Sequence, residues 1–163
     1  MSQEENNTNN IMMIMKSEDG TEFEVSREVA SMCKTFESIM EEDDDMTDTE
    51  LSCPSVSTKI LAKVVEYCKY YKNELEMDNI DGETPFPPDK QELSDIVTQE
   101  WYVTFIHTLE NKTLFHLVEA ANYLNIPPLL DLALLEVATR IQGLSMEELR
   151  TRFQLLAPAA VEA

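Results

Sequence analysis

Two adjacent prolines, Pro127 and Pro128, divide the longest periodic stretch of the chain, residues 113–141, TLFHLVEAANYLNIPPLLDLALLEVATRI. Before them, Leu114, Leu117, Val118, Ala121 and Leu124 recur at helical spacing; after them, Leu130, Ala133, Leu134, Val137 and Ile141 do the same. A proline lacks the amide that a continuing helix needs, yet its fixed φ suits the first turn of a new one. The stretch therefore predicts two amphipathic helices joined by a very short corner. Leu129, Leu132 and Leu135 fall outside the second stripe. A helix that is apolar over more than one face is either fully buried or keeps one face for a partner.

With 163 residues, 43% of them hydrophobic, the chain can build one domain with a real core. Its net charge of −20 is unevenly placed: residues 1–112 carry 26 acidic and 9 basic side chains, residues 113–163 only 6 and 3. Such a balance argues against nucleic acid and against anionic membrane surfaces, both of which select clustered Lys and Arg. It is compatible with a basic partner surface or with simple solubility. No basic-then-apolar leader begins the sequence, and no apolar run approaches the roughly 20 residues that span a bilayer. Cys33, Cys53 and Cys68 are odd in number and widely spaced. They predict reduced thiols in the cytoplasm or nucleus rather than a disulfide framework.

Along the chain, residues 1–10 predict a disordered polar tail. Asp19-Gly20 separates two strand-like runs and predicts a hairpin. Its second strand alternates, with Phe23 and Val25 inward; the first, around Ile11 to Met15, does not, which predicts cover on both faces. Ser26 predicts a helix cap, with Val29, Met32 and Cys33 inward, and a further helical turn follows from Thr35. Seven of residues 41–50 are Asp or Glu, predicting a solvated acidic loop. The spaced ligands and central glycine of a calcium loop are missing there. Leu51 to Cys53 predict a short third strand, and residues 57–71 a helix buried through Ile60, Leu61, Val64, Val65 and Cys68. Residues 73–98, dense in proline and acid, predict an irregular insert. Residues 101–106 restart helical structure. Ser145 and Glu148 form a capping box that opens a last short helix, and residues 156–163 predict a tail. Strands first and helices afterwards make an α+β chain.

Reactive constellations are not evident. Gly20, Gly82 and Gly143 are isolated, so no phosphate-cradling loop is present. His107 and His116 lack cysteines at zinc-ligand spacing and predict helix-surface positions. The cysteines sit among apolar residues, as small buried hydrophobes do. No enzyme, cofactor or metal is expected; function should lie in surfaces.

The order of features resembles the Skp family, the small adaptors of SCF ubiquitin ligases. Thr113-Leu-Phe, then Ala120-Ala-Asn-Tyr-Leu124-Asn-Ile and Leu129-Leu-Asp131, is similar to that family's T-L-F-x-L-I…A-A-N-Y-L-x-I-x-x-L-L-D signature. Residues 17–25 resemble its first hairpin, residues 60–68 its I-L-x-K-V-I-x-[WY]-C helix, and residues 140–153 its later helix. The resemblance covers about residues 11–155. It implies a BTB/POZ-type core over 11–126 and a helical extension over 127–155. It implies a non-catalytic bridge between a cullin and the F-box of a substrate receptor. Carried over by motif, Asn122 and Tyr123 would face the cullin. Phe115, Val118, Leu130, Leu134, Val137, Ile141, Leu149 and Phe153 would face the F-box. The alternative implied is a cullin-independent F-box-binding or elongin C-like module, and the same apolar face could pair two free copies as a homodimer.

There are departures from the pattern. Trp101-Tyr-Val-Thr-Phe105 lacks the aspartate common after the tryptophan, and Met146 stands where many members carry proline. The sequence ends soon after Phe153, where the family usually continues to a last helix that helps clasp the F-box.

Overall fold

The first hairpin is closed by its own side chains together with Thr58. In the computed structural model, which describes residues 12–42, 50–78, 93–142 and 144–153, strands β1 (Met12–Lys16) and β2 (Glu22–Ser26) pair antiparallel, Met12 opposite Ser26 and Lys16 opposite Glu22. Gly20 takes a φ of 88°, which costs a glycine nothing sterically. Asp19 Oδ1 accepts from the hydroxyls of Ser17 (2.6 Å), Thr58 (2.7 Å) and Thr21 (2.8 Å) and from the Thr21 amide (3.0 Å). Those hydrogen bonds, Ser17's foremost, hold its carboxyl well below the usual carboxylate range.

Strand β3 (Glu50–Ser52) joins β1 in parallel, giving the order β2-β1-β3. Lys16, on the central strand, reaches Glu22 at 3.7 Å on one side and Glu50 at 3.3 Å on the other. Phe23 and Val25 turn inward as expected. The expectation for β1 is corrected: Met13 and Met15 are buried, but Met12 is 45% exposed and Ile14 is only half-buried. Among the described residues the sheet thus buries one side of β1 more deeply than the other, and an unbroken apolar run can still alternate in burial.

Ser26 caps α1 (Arg27–Ala30), accepting from the Val29 amide at 3.2 Å. Helix α2 (Lys34–Glu42) buries Phe36 and Met40 and takes in the first two residues of the expected acidic loop. Residues 43–49 lie outside the described residues, and Glu50 belongs to β3. Ser57 caps α3 (Thr58–Asn73), whose buried stripe is the expected one with Tyr67 added. A 3-10 turn (Leu93–Asp95) precedes α4 (Glu100–His107), α5 (Asn111–Leu124), α6 (Pro127–Ile141) and α7 (Met146–Phe153). Asparagine and proline share the α5–α6 corner. Asn125 takes a left-handed φ of 56°, and the Ile126 amide donates back to the Ala121 carbonyl at 2.9 Å, a Schellman-type end. Pro127 and Pro128 then open α6, as expected.

An aromatic wall joins α3 to α4. Tyr70 and Trp101 stack with centroids 3.8 Å apart, and Tyr67 meets Tyr102 edge-on at 5.6 Å. The expected irregular insert is held at both ends. Met77, Leu93 and Val97 are buried in the core. The Gln99 side chain donates to the Glu76 carbonyl at 2.8 Å and accepts from the Asp78 amide at 2.7 Å, and the Tyr102 hydroxyl donates to the Leu75 carbonyl. Sequence periodicity missed these three apolar residues because isolated anchors have no period. Residues 79–92 lie outside the described residues, as do the two tails expected at 1–10 and 156–163.

Candidate functional site: two helix faces either side of the proline corner

Helix α5 buries Leu114, Leu117, Ala120, Ala121 and Leu124. Residues off that stripe can point outward. Asn122 is exposed, and Tyr123 is 47% exposed. The backbone beneath them is fixed: the Thr35 hydroxyl donates to the Tyr123 carbonyl at 3.3 Å, and the Lys34 amide to the Asn125 carbonyl at 3.0 Å. Beside Tyr123 lies a groove of about 450 Å³. One wall comes from α5, with exposed His116, Glu119 and Tyr123 and the buried Ala120 between them; the other is the segment entering α3, with Val56, Ser57 and Ile60. Sequence reasoning found the tyrosine and missed the groove. The opposite wall is about 60 residues away in sequence, where no local pattern announces it.

On α6 the core takes Leu129, Leu132, Ala133 and Leu135. Of the residues expected to form its periodic stripe, Ala133 alone is fully buried. Leu134 is 47% and Ile141 38% exposed, while Leu130 and Val137 are half-buried. These four share one side at i, i+4, i+7 and i+11. The two-faced composition of the helix is thereby resolved: the leucines outside the stripe are the core, Leu134 and Ile141 point outward, and Leu130 and Val137 sit half-buried against the core beside them. Phe115 and Val118 on α5 are half-buried, as is Leu149 on α7. Phe153 is the last residue of α7, and its side chain lies outside what is described.

A polar network crosses the base of α6. Glu136 is fully buried. Its Oε1 accepts from Arg140 Nε at 2.8 Å and meets His107 Nδ1 at 3.1 Å, while its Oε2 has no hydrogen-bond partner among the described residues. Arg140 also donates to Asn111 Oδ1 (2.8 Å) and to the carbonyls of Ile106 (3.3 Å) and His107 (3.1 Å), which end α4. Opposite charges at i and i+4, Glu136 and Arg140, in a helix whose one other charge is Asp131, were the available sequence signal. Both histidines are exposed, as expected.

Cys33, Cys53 and Cys68 are all buried and unpaired as disulfides, as expected. The Cys68 thiol and burial together push the Cys33 thiol far up, and burial pushes Cys53 up to about 12. Thiols so held in their protonated form are poor nucleophiles. Among the described residues no group of His, Cys, Asp and Glu could hold a metal ion, and no helix is long and apolar enough to cross a membrane. The Ser145–Glu148 capping box is present: the Glu148 carboxylate accepts from the Ser145 amide at 2.9 Å, and the Ser145 hydroxyl from the Glu148 amide at 3.2 Å.

A small three-stranded sheet with helices packed on it defines an α+β protein. Comparison with known proteins is specific. Residues 11–73 match the model of the Skp1 family, tetramerisation domain. The chain is 38% identical over 145 residues to SKP1-like protein 1A of Arabidopsis thaliana, covering 88% of this chain and 84% of that one. It is 37% identical over 143 residues to SKP1-like protein 9 of Arabidopsis thaliana, covering 88% and 83%. It is also 37% identical over 147 residues to SKP1-like protein 1 of Oryza sativa subsp. japonica, again covering 88% and 83%. The chain belongs to the Skp1 family, whose members act as adaptors of SCF ubiquitin ligases.

Proposed function

We propose that this protein joins a cullin scaffold to F-box substrate receptors, without catalysis of its own, in ubiquitin-dependent protein degradation. The observation that carries the reading is the pair of exposed apolar side chains Leu134 and Ile141, flanked by half-buried Leu130 and Val137, on a helix whose opposite side is core. Exposed apolar side chains aligned along one helix suit the apolar face of a partner helix. The groove beside Tyr123 supports a second, separate contact. A tyrosine rim offers apolar area and a hydroxyl at little cost in side-chain entropy, as interface anchors do. Asn122 and Tyr123 are assigned to the cullin. The α6 stripe, with Phe115, Val118, Leu149 and Phe153, is assigned to the F-box.

Reconstitution tests the bridge. The full chain is mixed with a cullin N-terminal domain and a recombinant F-box domain, and the species are resolved by size. A ternary complex that requires this chain is expected. An F-box complex without cullin would instead support the cullin-independent module. Absence of both complexes would reject the adaptor reading.

A further inference from the structure

The described side chains of helix α7, residues 146–152, contribute little apolar burial. None of its described side chains is fully buried, Leu149 is half-buried, and Met146 is 66% exposed. Its capping box is internal and ties it to nothing else. Among the described residues, a long-range side-chain hydrogen bond reaches it from Asn111 at the start of α5, whose Nδ2 donates to the Arg152 carbonyl at 3.0 Å. The other end of the same amide, Oδ1, accepts from Arg140 Nη1 at 2.8 Å. An asparagine amide has one accepting and one donating end. With a cation on one side and a carbonyl on the other, only this orientation satisfies both.

Arg140 is itself fixed at three further points. Its Nε is on the buried Glu136 carboxylate, and its Nη2 is on the two carbonyls that close α4. A planar guanidinium gripped this way cannot follow Asn111; Asn111 must follow it. The chain of contacts runs Glu136, Arg140, Asn111, Arg152 carbonyl. It passes from a rigid core position to the exposed helix.

We propose that Arg140 is a positioning residue which, through the Asn111 amide, sets where α7 lies beside α5 and α6, and so sets the affinity of the receptor face that α7 completes. The affinity half rests on the receptor reading given above; the positional half stands without it. Asn111, Phe115 and Val118 share one face of α5 at i, i+4 and i+7. The relay therefore enters α7 on the side from which Phe115 and Val118 contribute to that face.

Asn111→Asp is the discriminating variant. It keeps an acceptor for Arg140 and suits a helix N-terminus, but it sets an oxygen against the Arg152 carbonyl. Full-length wild type and N111D are compared by hydrogen exchange and by titration with a recombinant F-box domain and a cullin N-terminal domain. Expected are faster exchange confined to residues 144–153, F-box binding weaker by roughly three- to tenfold, and unaltered cullin binding. Unchanged exchange in 144–153 overturns the proposal. Faster exchange with unchanged F-box affinity overturns its affinity half. If wild type binds no F-box domain, the receptor reading fails and the affinity half with it, while exchange still decides the positional half. Should N111D not fold, Arg140→Lys takes the same measurements, since it keeps a charge beside Glu136 and loses the fork that holds Asn111.

Discussion

Arg140 holds the one fully buried carboxylate among the described residues, that of Glu136, at 2.8 Å. Removing one member of a buried pair strands the other's charge, whereas replacing both by apolar groups is often neutral. Arg140→Met alone is expected to destabilise the fold by about 3 kcal/mol. Glu136→Leu combined with Arg140→Met should recover most of that loss. Chemical denaturation of the wild type, the single and the double variant checks both, and equal losses in the single and the double would contradict the pairing argument.

The hairpin should report acid. The folded state lowers the Asp19 carboxyl below its ordinary value through the hydroxyls of Ser17, Thr58 and Thr21. A lowered folded pKa means that the unfolded chain takes up the proton first. Asp19's contribution is therefore whole above the unfolded value, near pH 4, and lost as pH falls below it. Thermal melts between about pH 6 and pH 3 are expected to show a shallower acid loss for Asp19→Asn than for wild type. Because Thr58 opens α3, the difference should also appear in the exchange of the first α3 amides.

The thiols should be inert until the fold opens. Cys33 and Cys53 are buried and their thiols pushed up, Cys53 to about 12. Alkylation at pH 8 is expected to label none of Cys33, Cys53 and Cys68 in the native protein and all three in denaturant, read by intact mass. Stoichiometric native labelling would contradict the packing described.

Legibility followed the kind of order involved. Helices α3, α5 and α6 could be read because their buried residues recur every three or four positions. The hairpin could be read because Asp19-Gly20 has few uses other than a turn. Burial on β1 could not be read, since Met12 to Met15 carry no polar alternation and only packing tells Met13 and Met15 from Met12. Met77, Leu93 and Val97 escaped notice as single anchors without a period. The groove opposite Tyr123 and the Glu136–Arg140–Asn111 network escaped because each joins segments distant in sequence. For α6, composition showed that two apolar faces existed; packing was needed to tell that Leu129, Leu132 and Leu135 are core and Leu134 and Ile141 are outward.

The central claim is that two separate faces serve two partners, and a crossed binding experiment tests it most directly. One variant carries Asn122→Lys with Tyr123→Lys; the other carries Leu134→Glu with Ile141→Glu. All four residues are exposed, so both variants should fold. Each is titrated by calorimetry with a cullin N-terminal domain and with a recombinant F-box domain. The first is expected to lose at least about tenfold in cullin affinity and to bind the F-box as wild type does, the second the reverse. Wild-type cullin binding by the Asn122/Tyr123 variant, or equal losses to both partners in both variants, would contradict the account.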